Sequence, residues 1–225
     1  MSQWLQSAFK KFPEFPVWGW CVVAVLLVLG ISLLLGSRGK KNVWTTKMIS
    51  VGAICMALSS VLSLIRLWRM PMGGSITPAS MLPLLIFAYV YGAGPGITLG
   101  AVYGVFQFIL DGGSFAWAGL LPNLLDYPLG FGMLGLAGIL GSKGKSSANE
   151  LMYLVCGVML GVFGRFFCSF LSGWIFYGQY APEGWNPIWY SIVYNGAYTG
   201  VECVICVLLV ALAGVRMVKE MRKAK

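Results

Sequence analysis

Asp126, followed by Tyr127 and Pro128, stands inside the apolar run 116–140. A carboxylate at mid-depth of a membrane-spanning helix costs about 2.5–3.5 kcal/mol, so it marks a functional site unless a structural partner holds it. Arg165, on the following apolar run, is the structural partner the sequence offers. Arg165, Ser169 and Ser172 recur at four- and three-residue spacing, which puts them on one helical face. Glu202 is a second acid in an apolar run. The stretch from Arg165 to Asn195, RFFCSFLSGWIFYGQYAPEGWNPIWYSIVYN, brings Tyr177, Trp185, Trp189, Tyr190 and Tyr194 around a Gly- and Pro-containing turn at 178–187. Rings with a few convergent polar tips suit a small-molecule pocket. Tyr and Trp at the ends of two membrane helices also suit an interfacial belt, and both readings stand at this level. An acid among ring faces favours an organic cation, best a flat heteroaromatic one.

Other chemistries are excluded. The chain has no histidine, which removes the usual general base and the commonest metal ligand. Cys203 and Cys206 form a C-x-x-C, but inside an apolar run with no second ligand pair, so they are packing residues. Gly144-Lys145-Ser146 resembles the end of a phosphate loop, yet position 139 is Ile139 where that pattern requires glycine, and no strand precedes it. The sequence therefore predicts no enzyme, no metal, no cofactor and no ATP site.

The elements that must position these residues are transmembrane helices. Hydrophobic residues make up 58% of the chain and charged residues 10%, with mean hydropathy +0.80; soluble domains carry about 25% charged residues. After an amphipathic lead at 1–17, the run 18–35 is read as a retained first span. A signal peptide is the rival, but GSRGKK stands where its cleavage site belongs. Further spans are expected at about 46–67, at 79–92 after Pro78, up to 110, then 116–140, 150–177 and 188–215. GAGPG turns the chain, with the loop at 92–95, and Gly96, Gly100 and Gly104 give the next helix a close-packing face. The net charge of +9 gathers at 38–47, 143–145 and 216–225. The positive-inside rule then puts the N-terminus outside and the C-terminus in the cytoplasm, and points to anionic lipid rather than nucleic acid. Ala53 and Ala57 give one helix a small-residue face that another helix could approach.

From about Lys47 onward the chain resembles the thiamine-binding S component of energy-coupling factor (ECF) vitamin transporters. GGSIT at 73–77 with ASMLP after it, LLDYPLGFGMLGLAG at 124–138 and FLSGWIFYGQYAPEGWNPIWYSIVYNG at 170–196 carry the resemblance. It implies an all-α integral membrane protein: a six-helix S-component bundle at 46–218 that captures thiamine or a close relative from outside the bacterial cell. An extra transmembrane helix and basic loop at 1–45 would precede it and a basic tail at 219–225 would follow. It further implies a T component docking on Ala53 and Ala57, with two separate ATPase subunits driving uptake. By the same resemblance Asp126 faces the thiazolium with Tyr127 beside it, Tyr177 stacks where other members have Trp, and Tyr190 and Asn195 contribute from the last helix. Ser169 falls where the family has a ligand-binding histidine, and Gly74 falls near a Trp of the first outer loop. Trp68 could reach inward in its place, and Trp185 could stack. The alternative is an autonomous ion-coupled transporter of a cationic solute using Asp126 and Glu202.

Overall fold

The computed structural model describes residues 44–70, 74–111, 119–144 and 149–225. The expected helix at 18–35 and the Lys145-Ser146 segment lie outside the described residues. Helix α1, Thr46–Leu64, starts where the Thr45 hydroxyl accepts from the Met48 N–H at 3.2 Å, a side-chain cap on an otherwise orphan donor. Next comes a short hairpin, with β1 (Trp68–Arg69) antiparallel to β2 (Ser75–Ile76). The sequence read this segment only as a loop. The pairing satisfies backbone groups near the membrane end, including Leu67 N–H to Ile76 O at 2.9 Å.

Helix α2, Leu82–Tyr91, begins three residues later than expected. Pro83, not Pro78, sits in its first turn, where a missing N–H is harmless. Ala79 is held at φ 62°, a left-handed conformation that a helix start there would not allow. Helix α3, Ala93–Leu110, follows across the single hinge Gly92 (φ 103°). The expected turn at 92–95 is therefore one residue, because Pro95 also fits a first turn. All ten residues of α2 are buried among its neighbours.

Helix α4 occupies 120–144 and is not regular. Its α-helical start, Leu120–Leu124, passes through a π-turn at Leu125–Leu129 and a 3₁₀ stretch at Leu134–Ala137. Pro128 lies inside the π-turn. A proline there lacks its N–H and crowds the preceding turn, and the wider π-turn accommodates both. The small-residue face of α3 packs on this irregular helix. A Cβ on Gly100 would stand 2.2 Å from the Phe131 carbonyl oxygen, and one on Gly104 2.3 Å from that of Tyr127. Only glycine permits this approach.

Helix α5, Glu150–Phe176, and helix α6, Pro187–Leu209, run antiparallel and pack on each other. Asn186 caps α6, its side chain accepting from Ile188 N–H at 2.8 Å. The sequence ended α6 near Val215 and left a tail. Instead a π-turn at Val210–Gly214 carries the helix on through Val215–Lys223. Good helix formers continue it, Val218 is buried, Arg222 pairs with Glu150 at 2.5 Å, and Lys225 donates to Val90 O at 3.1 Å. Among the described residues, five helices are long and apolar enough to cross a membrane, and α2 is apolar but shorter. The chain is a multi-pass, all-α membrane protein.

Candidate functional site

A cavity of about 250 Å³ opens between α4, α5, α6 and the 74–80 segment. Asp126 reaches it from the π-turn of α4, the kind of irregularity that re-aims side chains at functional sites. The Ser172 hydroxyl donates to its Oδ2 at 2.7 Å. Ser169, buried one turn along the same face of α5, lines the cavity with it. Tyr127, Tyr177 and Tyr190 supply phenol rings, and Tyr194 and Tyr198 add two more. The structure thus gathers Gly74, Asp126, Tyr127, Ser169, Tyr177, Tyr190 and Asn195 around one space.

Two expected residues are not brought there. Trp68 is 65% exposed on β1, and Trp185 is 51% exposed before α6. With Trp189, 64% exposed, they stand at the rim in the manner of interfacial aromatics. The pocket and belt readings therefore divide by residue type: tyrosines line the cavity, and Trp68, Trp185 and Trp189 face outward. Asn195 lines the cavity with its amide already committed. Its Nδ2 donates to Ser191 O at 3.0 Å and to Ser191 Oγ at 3.1 Å, and its Oδ1 accepts from Tyr198 OH at 3.0 Å. Asn195 thus fixes the Tyr198 ring, leaving a lone pair on Oδ1 for a solute.

Gly74 has a steric reason. A Cβ there would lie 2.7 Å from the Tyr198 ring, so Tyr198 fills the space a side chain at 74 would need. Gly74→Ala should destabilise the protein by about 1–3 kcal/mol, and much of that cost should disappear in a Tyr198→Ala background. Chemical or thermal unfolding of the four proteins of that cycle checks the coupling, and simple additivity would contradict it.

The site is larger than the sequence suggested. Asp111, which the sequence Asp-Gly-Gly at 111–113 marks only as a turn residue, lines the cavity. It accepts from Arg66 at 2.8 Å, from Tyr127 OH at 3.1 Å and from Gln107 Nε2 at 3.4 Å. Gln107 Oε1 in turn accepts from Tyr103 OH at 2.9 Å and Ser63 at 3.2 Å. The four-residue spacing Tyr103, Gln107, Asp111 in an apolar helix was the available signal. Glu202, 2% exposed, also lines the cavity, and its Oε1 accepts from the Thr77 and Ser80 hydroxyls. This ties α6 to the left-handed turn at Ala79. Arg165 does not pair with Asp126: its guanidinium lies over the Phe131 ring, 3.8 Å from the centroid, and it takes part in no ion pair among the described residues. Among the described residues the charged lining is Arg66, Asp111, Asp126, Arg165 and Glu202, three acids against two cations, a formal excess of one negative charge. Such a space suits a monocationic solute.

Comparison with known proteins agrees with this architecture. Residues 49–221 match the family described as thiamine transporter protein (Thia_YuaJ). The thiamine transporter ThiT of Bacillus subtilis is 31% identical over 150 residues, covering 64% of this chain and 76% of the relative. ThiT of Lacticaseibacillus paracasei is 29% identical over 139 residues, covering 59% and 69%. The solved structure of ThiT from Listeria monocytogenes superposes with a TM-score of 0.61 at 25% identity, covering 76% of this chain and 96% of that one. The chain belongs to the thiamine transporter family, a family of transporters rather than enzymes.

Proposed function

We propose that this protein is the substrate-capture subunit of an ECF-type importer and binds thiamine or a close thiamine relative in the cavity described above. The observation that carries the reading is Asp126: a carboxylate aimed from a π-turn into a tyrosine-lined space of net negative charge, in a chain of this family. Asp126 faces the thiazolium cation, Tyr177 and Tyr190 stack on the rings, and Tyr127 and Ser169 offer hydrogen bonds. No chemistry is done on the solute.

The chain order of the helices gathers Lys47, Lys143 and the basic residues of 216–225 at the end opposite the cavity mouth. The positive-inside rule makes that end cytoplasmic and the mouth external, in a bacterial cell membrane. Ala53 and Ala57 are exposed on α1, flanked by exposed Ile54 and Leu58, and form the face on which a T component docks. Two ATPase subunits complete the importer.

Calorimetric titration of the purified protein with thiamine tests the binding reading. Calorimetry is preferable to tryptophan fluorescence because no tryptophan lines the cavity among the described residues. Saturable binding at nanomolar to low micromolar concentration is expected, and none in a folded protein would overturn it. For the partner reading, Ala57→Trp should abolish co-purification with a T component and leave thiamine affinity unchanged. Ion-gradient-driven uptake by the chain alone would instead make it an autonomous secondary transporter.

A further inference from the structure

The deeper end of the cavity contains two charged groups with unused bonding capacity. Glu202 and Arg165 project from antiparallel helices at similar depth. Glu202 lies fifteen residues below the start of α6 at Pro187, and Arg165 lies eleven residues below the end of α5 at Phe176. At 1.5 Å per residue these depths are about 22 and 17 Å. Both line the same cavity, and neither is ion-paired among the described residues. One Glu202 oxygen is fixed by Thr77 and Ser80, while the other makes no hydrogen bond among the described residues. The Arg165 guanidinium lies over the Phe131 ring and makes no hydrogen bond among the described residues, with Nε buried and unpartnered. The free oxygen of the buried Glu202 side chain and the buried Arg165 Nε are polar groups whose missing partners cost stability, and a solute presenting a donor beside an acceptor would relieve both.

We propose that Glu202 and Arg165 form a subsite for an amino-substituted nitrogen heterocycle, the exocyclic amino group donating to the free Glu202 oxygen and the adjacent ring nitrogen accepting from Arg165. This rests on the thiamine reading, in which the aminopyrimidine half fills the deep end and the thiazolium half meets Asp126 nearer the mouth. It also gives the chain a recognition pair beyond Ser169 and the internally bonded Asn195 amide. Glu202 then has two tasks: it reads the amino group and anchors the 77–80 turn through its other oxygen.

The test is a calorimetric comparison of four ligands: thiamine, its analogue with the amino group replaced by oxo, the aminopyrimidine half and the thiazolium half. The parent should bind thiamine about ten- to a hundredfold more tightly than the oxo analogue. Glu202→Gln keeps an oxygen for Thr77 and Ser80, and should erase that preference while costing the thiazolium half far less than the aminopyrimidine half. Arg165→Met keeps an apolar stem on Phe131, and should weaken the aminopyrimidine half about tenfold or more. A preference that survives Glu202→Gln, or an equal loss for all four ligands, would overturn the subsite while leaving thiamine binding in place. Glu202-dependent binding of the aminopyrimidine half without binding of thiamine would uphold the subsite and overturn the thiamine reading. Binding of none of the four would overturn both.

Discussion

An Asp126→Asn protein should bind thiamine about ten- to a hundredfold more weakly than the parent. That corresponds to about 1.5–3 kcal/mol, the range for a hydrogen bond or close contact involving a charged group. The substitution keeps the shape of the side chain and leaves an oxygen to accept from the Ser172 hydroxyl, which now lies 2.7 Å from Oδ2. What it removes is the charge. The loss should therefore be selective: thiamine and the thiazolium half weaken, whereas a neutral pyrimidine retains its affinity. Calorimetry with the three ligands checks the selectivity. Unchanged thiamine affinity would remove Asp126 from the site, and an equal loss for charged and neutral ligands would point to a distorted cavity instead of a missing charge.

The second large effect is on packing. Gly104→Ala should lower stability by about 1–3 kcal/mol and weaken thiamine binding with it. The added Cβ would stand 2.3 Å from the Tyr127 carbonyl oxygen and 2.5 Å from its carbon. These are backbone atoms of the π-turn, and no rotamer change can move them aside. Relief requires α3 to back away from α4, carrying the turn that positions Asp126 and Tyr127. Gly200→Ala on α6 is the control, since no described residue lies within 4 Å of a Cβ there. It should be neutral or stabilising by up to about 1 kcal/mol, as expected for alanine in a helix interior. Thermal unfolding with and without thiamine distinguishes the two variants, and matching midpoints would contradict the packing argument.

The helices were legible because apolar runs separated by basic or Gly-rich segments encode membrane spans directly. Asp126 was legible for a related reason: one carboxylate in such a run is conspicuous. The π-turn beneath it was not, since i→i+5 bonding has no residue signature of its own and Pro128 alone does not distinguish a kink from a π-turn. Asp111 was hidden by its neighbours, because Asp-Gly-Gly reads as a turn whatever its carboxylate contacts. Residue type misdirected the reading at Trp68 and Trp185, where an aromatic ring beside a pocket was expected to enter it. A loop tryptophan at a membrane surface has a competing place at the interface, and both are exposed there. The pairing of Glu202 with Thr77 and Ser80 joins residues more than 120 positions apart, and only the folded chain brings them together.

The enclosure of α2 bears on how the protein enters its membrane. Its ten residues rise about 15 Å, half the thickness of a hydrocarbon core. A segment that short cannot partition across the bilayer as an independent stop, and in the finished bundle it has no lipid-facing side to guide it. It must therefore integrate together with α3, to which Gly92 couples it as a hairpin, or slip in beside α1 after that helix is placed. Biogenesis of this transporter is thus cooperative at an early stage. A lesion that slows insertion of α1 or α3 should leave α2 without the neighbours that bury it.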